Sequence, residues 1–265
     1  MPVSKKRKKK GSFVNKGSNG SGRRGFSTPT ELPDSTDLMG ERIFAMPAEL
    51  LPTVGLGEFF LAQSPIRTLN QCHVASEVMM LALHSFNLPA EAIALELSVQ
   101  TGQGALAHYG SPHPYVKGGT VHGHVGLIAD DHFLDVTASQ FPEIDAHGGV
   151  RVVAGPLRGQ SDELLATGAT MMMRLTDGAF VTYTAHPSGS ADEVMQAETM
   201  AREEIEVLTS NLRLGYSYML AQSPVLLDKV QSLTAQKYAG FVDAVTQMVG
   251  RTVSVDDRGR AMLVG

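Results

Sequence analysis

The chain has 265 residues, 43% of them hydrophobic, with 13 Met, no Trp and a single Cys. That is enough apolar material for one large domain with extensions, and a lone thiol excludes an internal disulfide framework. The formal net charge of −5 conceals a division: nine of the 22 Lys and Arg residues precede Glu31 and no acid does, leaving 13 basic against 27 acidic residues in the rest.

The basic residues cluster at Lys5, Lys6, Arg7, Lys8, Lys9 and Lys10. Residues 1–40 are rich in Lys, Arg, Gly, Ser, Asn and Pro, too polar to offset the entropy of ordering, and are expected to be disordered. Such a tail suits contact with nucleic acid or an anionic surface, an addressing role, or a solubilising arm. It lacks the apolar segment of a secretory signal. No run approaches the roughly 18–20 apolar residues of a membrane span. The expectation is a soluble protein of the reducing cytoplasm.

The folded part is expected from residue 41, in a core of 41–188 and a C-terminal helical extension of 189–265. "TLNQCHVASEVMMLALHSFNLP" reads as a buried helix. Thr68 or Asn70 can cap it, Val74, Ala75, Val78, Met79, Ala82, Leu83 and Phe86 recur at helical spacing, and Asn87 and Pro89 stop it. Pro89 suits the first turn of a second helix ending near Gly102. Residues 103–120 read as a long functional loop with Tyr109 and Tyr115 at its rim.

"HGHVGLIADDHFLDVTASQF" then reads as a β-hairpin turning at Asp130-Asp131. With that turn, Ala129 faces His132, Gly126 faces Asp135 and His124 faces Thr137. His124 and Asp135 become diagonal neighbours on one face, about 7 Å apart at Cα. Val125, Leu127, Ala129, Leu134 and Val136 fill the other face. "VRVVAG" reads as a strand. "TMMMRLTDGAFVTYTAHP" reads as a second hairpin turning at Asp177-Gly178, its three Met residues in the strand core. An amphipathic helix is expected over 190–213, another over Leu226–Met248, and a closing hairpin in "TVSVDDRGRAMLV".

Cys72 lies near the start of its helix, where unpaired N–H groups favour a thiolate and can hold an oxyanion. Asp135 orients His124, and His124 takes the Cys72 proton and returns it to a leaving group. Gln63, Asn70 and Gln71 are the candidate oxyanion or substrate-binding donors. Two other readings stand beside this one. His122, His124 and Asp135, with His108 and His113, could surround a metal. The chain could also be a non-catalytic interaction module, its acidic helix docking a partner.

The order of a Cys helix, a His strand and an Asp strand resembles the transglutaminase-like and papain-like thiol enzymes. "NQCHVASEVMMLAL" looks like their nucleophile helix and "GHVGLIADDHFLDVTASQF" like their His–Asp hairpin. The resemblance covers about Asn70 to Phe141. It implies an α+β fold with a buried nucleophile helix on an antiparallel sheet, and Cys72, His124 and Asp135 as a catalytic triad. It implies peptide or amide hydrolysis, with transglutaminase-like or arylamine N-acetyltransferase-like acyl transfer as the alternative. No metal or organic cofactor is needed.

Overall fold

The computed structural model describes residues 35–63, 71–100, 104, 106–144, 152–157, 161–174, 179–197 and 200–264. The basic cluster at residues 5–10, Thr68, Asn70 and the expected turn at Asp177-Gly178 lie outside them. The fold is α+β, with a curled, all-antiparallel sheet between two apolar layers.

Helix α1 (Ser35–Ala45) crosses the boundary expected at residue 40. Its Met39 and Ile43, one turn apart, are both buried. A π-helical turn at Leu51–Gly55 leads into α2 (Leu56–Gln63). Buried Glu58 of α2 accepts a bond from Arg42 Nη1 at 2.9 Å and from the Val152 backbone N–H at 3.1 Å. One carboxylate thus ties α1 and α2 to the edge of the sheet.

Helix α3 (Cys72–Ser85) forms where its spacing predicts and buries nine residues. It ends as Asn87 enters the left-handed region (φ 59°), with the N–H groups of Asn87 and Leu88 on the carbonyls of His84 and Leu83. Asn tolerates that conformation better than most residues.

The second helix expected after Pro89 is instead strand β1 (Ala90–Gln100), the centre of the sheet. Its Ala, Glu and Leu favour helix as isolated residues. Tertiary packing overrides that preference. Ile93, Leu95, Leu97 and Val99 alternate into one core, while Ala92 faces α3 in the other. Small residues on the helix side let α3 approach closely.

The expected loop at 103–120 also holds strands: β2 (Leu106–Gly110), β3 (Tyr115–Lys117) and the start of β4 (Thr120–His122). β3 and β4 form a separate ribbon. The hairpin of β5 (His124–Ala129) and β6 (His132–Asp135) has the register read from sequence, Ala129 opposite His132 and Leu127 opposite Leu134. β7 (Val153–Pro156) joins the outer edge of β6. α4 (Ser161–Thr167) follows, then the hairpin of β8 (Ala169–Arg174) and β9 (Phe180–Ala185). Of the three Met residues on β8, Met171 and Met173 pack inward and Met172 is 71% exposed, the alternation of an edge strand.

The main sheet runs β7-β6-β5-β1-β9-β8. β1 is long enough to take two partners end to end on one edge: β5 along Ala90–Leu95, then β2 along Glu96–Gln100. His124, the first residue of β5, pairs with Leu95 at that junction.

The first expected C-terminal helix is split into α5 (Asp192–Met195) and α6 (Arg202–Gln222). The second is α7 (Pro224–Gln231) and α8 (Ala239–Thr246), separated by a 3-10 turn at Gln236–Tyr238. The closing hairpin forms as β10 (Thr252–Val255) and β11 (Ala261–Val264). Among the described residues no helix is long and apolar enough to cross a membrane.

Gly126 sets the closeness of the site strands. A Cβ there would lie 2.5 Å from Leu95 Cδ1 and 2.9 Å from the Leu134 carbonyl oxygen. Gly126→Ala is expected to destabilise the fold by about 1–3 kcal/mol through overpacking, read as a lower midpoint in urea unfolding; an unchanged midpoint would refute the packing argument.

Candidate active site

Cys72 is the first residue of α3. Ala75 is the first residue whose N–H enters the helical ladder, bonding the Gln71 carbonyl at 3.0 Å. The N–H groups of the turn before it give the helix start its positive end. Gln71 stands at the cap position without a side-chain cap bond.

The thiol and the His124 ring are near enough for each to shift the other's ionisation. Val125, Leu127 and Ala129 alternate toward α3, so His124 points to the opposite face of β5. His124 is the first residue of its strand. Ser76, one turn on from Cys72, donates to the Val125 carbonyl at 3.3 Å and fixes α3 against β5.

His124 Nε2 bonds Asp135 Oδ2 at 2.8 Å, the diagonal contact that the hairpin register predicts. Asp135 is wholly buried and receives three further bonds. Its Oδ1 accepts from Thr137 N at 2.9 Å and Thr137 Oγ1 at 3.2 Å, and its Oδ2 accepts from Tyr183 Oη at 3.0 Å. Tyr183 is on β9, three strands from β6 in the sheet. In a flat sheet that separation would be about 14 Å at roughly 4.8 Å per strand, beyond a tyrosine's reach. The sheet curls, and the phenol crosses its interior.

These contacts set the charges. Burial opposes ionisation of Cys72, but hydrogen bonds from His124 and His73, the charge on His124 and a Val125 backbone contact outweigh it. The thiol pKa falls from 9.0 to about 6. Burial also opposes the imidazolium, and Asp135 and Cys72 together overcome it, raising His124 to about 10. Asp135 is held below its ordinary value against its own burial by His124, Thr137 and Tyr183. Both shifts run in the direction of thiolate beside imidazolium.

An aromatic wall closes one side. Phe141 meets the His124 ring edge-on at 4.9 Å, and Tyr109 lies against Phe141 at 4.2 Å. Tyr109 donates to Glu143 Oε2 at 2.5 Å, which pushes its pKa up to about 12. Gln140 Nε2 is 3.3 Å from His124 Nδ1.

Of the expected donors, Gln71 is half-buried beside Cys72, Gln63 is exposed at the end of α2, and Asn70 is outside the described residues. Sequence reasoning missed His73, Thr137, Gln140 and Tyr183. His73 and Thr137 adjoin or nearly adjoin the triad and could have been flagged. Tyr183 alternates inward with Val181, but its partner depends on strand order. The residues of the metal reading are dispersed. His122 is exposed and stacks on Tyr115 at 5.0 Å, and His108 Nδ1 pairs with Ser98 Oγ at 2.7 Å. Among the described residues no three His, Cys, Asp or Glu side chains group as metal ligands.

Cys72 is 2% exposed. Enclosure slows a reagent at every pH alike, so the thiolate's own absorbance is the cleaner reporter, and this chain has only one thiol to report. Its midpoint is expected near pH 6, against about 8.5 for an ordinary thiol. In His124→Asn, burial is no longer opposed by the imidazolium and the midpoint should rise above 8.5. A wild-type midpoint at or above 8.5 would contradict the pairing.

No protein-family model matches this chain, and no curated protein matches it. Among solved structures, one described as "The crystal structure of genomics APC5867" is similar at 15% identity, over 86% of this chain and 90% of its own, with a TM-score of 0.36.

Proposed function

We propose that the chain is a thiol enzyme of the transglutaminase-like or papain-like arrangement, acting on an amide or ester by acyl transfer to its cysteine. The observation that carries this reading is the buried His124–Asp135 bond next to a Cys72 thiol whose ionisation His124 favours, with the sulfur at a helix start.

The thiolate sulfur of Cys72 attacks the carbonyl carbon, forming a C–S bond and an oxyanion. Helix-start N–H groups supply its stabilisation. The tetrahedral intermediate collapses, the C–N or C–O bond breaks, and the leaving group takes the proton from His124. The thioester then accepts water or an amine, whose proton goes to His124 as the C–S bond breaks. Water gives hydrolysis and an amine gives transfer; peptide-bond hydrolysis is the simplest case. Asp135 keeps the imidazole oriented and stabilises it when charged.

The test is acylation by a nitrophenyl ester, followed by nitrophenolate release and intact mass. Wild-type protein should gain one acyl group on Cys72. Cys72→Ala and His124→Ala should gain none, and Asp135→Asn should acylate about 10²–10⁴-fold more slowly. Equal nitrophenolate release from wild type and Cys72→Ala would overturn the proposal.

A further inference from the structure

The Asp135 carboxylate has no lone pair left over. Its Oδ1 accepts from the backbone N–H and the hydroxyl of Thr137, and its Oδ2 accepts from His124 Nε2 at 2.8 Å and Tyr183 Oη at 3.0 Å. Four donors fill about four acceptor positions. The two oxygens are not equivalent, however. Both Oδ1 donors belong to one residue of the adjoining turn, whereas Oδ2 is shared between the ring it orients and a phenol from β9. Tyr183 is wholly buried, and burial beside Asp135 pushes its own ionisation well above the ordinary range, so it remains an O–H donor. Its ring is otherwise held by apolar contact, lying 4.9 Å from that of Phe133.

We propose that Tyr183 is a positioning residue that shares Asp135 Oδ2 with His124 and so limits the hold of the carboxylate on the imidazolium. This deepens the thiol-enzyme reading and rests on it. A phenol donating to a carboxylate turns the positive end of its dipole toward the site. That opposes a positive charge on the neighbouring ring, and it does so more strongly where water is excluded. The effect matters at the thioester stage. There the sulfur carries no charge, so Asp135 alone of the two anions still favours the imidazolium. Water or an amine must give its proton to His124 as its bond to the carbonyl carbon forms and the C–S bond breaks. The ring must reach that step neutral. Asp135 is needed to orient it, and Tyr183 keeps the same carboxylate from holding it charged.

Among the described residues, the titratable groups that act directly on His124 are Cys72 from α3 and Asp135 from β6. His73 acts through Cys72, Tyr183 through Asp135, and Tyr109 and Glu143 only through Phe141. None of them duplicates the phenol on Oδ2.

The experiment reads the protonation of His124 twice, in wild type and Tyr183→Phe. The first readout is the pH profile of acyl-Cys72 hydrolysis after loading with a nitrophenyl ester. The second is the ¹⁵N titration of His124 in a Cys72→Ala background, where no thiolate contributes. Tyr183→Phe keeps the ring and removes only the hydroxyl. Both midpoints should rise by roughly 0.3–1 pH unit, a two- to tenfold change within the range of one hydrogen bond. Replacing Tyr183 with 3-fluorotyrosine, a stronger donor, should move both midpoints down, a reversal that altered packing would not produce. The fluorinated protein also decides the matter should Tyr183→Phe not fold. If wild type acylates and either midpoint is unmoved or shifts the opposite way, the role of Tyr183 alone is overturned. If wild type forms no acyl-Cys72, the thiol-enzyme reading falls and this role with it.

Discussion

The site depends on one buried charge. Asp135 has no solvent contact, and the cost of removing a carboxylate from water is several kcal/mol even after relaxation. It is tolerable because four donors converge on two oxygens: one from β5, two from the turn after β6, and one from β9. Each donor comes with its own strand or turn. The hairpin register, the 3-10 turn and the curl of the sheet must therefore all be in place before the charge is satisfied. Charge and fold are mutually required.

From that charge the polarity runs outward. The carboxylate bonds His124 Nε2, the imidazole favours the thiolate of Cys72, and the sulfur sits where a helix begins. Low dielectric surroundings strengthen each of these interactions and equally penalise any that is missing. This explains why a thiol that burial alone would hold protonated is instead brought toward ionisation.

The surrounding structure serves to hold the hairpin. β1 supports β5 along half its length and yields the same edge to β2 for the other half, leaving His124 at the point where the supporting strand changes. The far end of the hairpin is fixed from another direction. Lys237 Nζ lies 2.8 Å from Asp130 and 3.3 Å from Asp131, so the turn is tied to the segment between α7 and α8. The Tyr238 hydroxyl adds a longer contact to Asp130 at 3.4 Å. The C-terminal helices also pack into the same core as α3, through Tyr216 and Phe241. They brace the site elements rather than stand apart from them.

The amino-acid sequence by itself determined what local rules govern. Apolar spacing and an Asn stop define α3. Two aspartates at a turn and strict alternation define the β5–β6 register, and that register alone puts His124 beside Asp135. The tertiary structure decided what needs partners distant in the chain. "AEAIALELSVQ" has helical propensity, and only burial on both faces between two layers makes it the central strand. Tyr183 and Gln140 are legible as an inward strand residue and a turn residue, but their bonds to the triad arise from sheet curl and a 3-10 turn. Alternation is a property of one strand. Curl and strand order are properties of all of them together, set by which faces pack, and no local pattern encodes that sum.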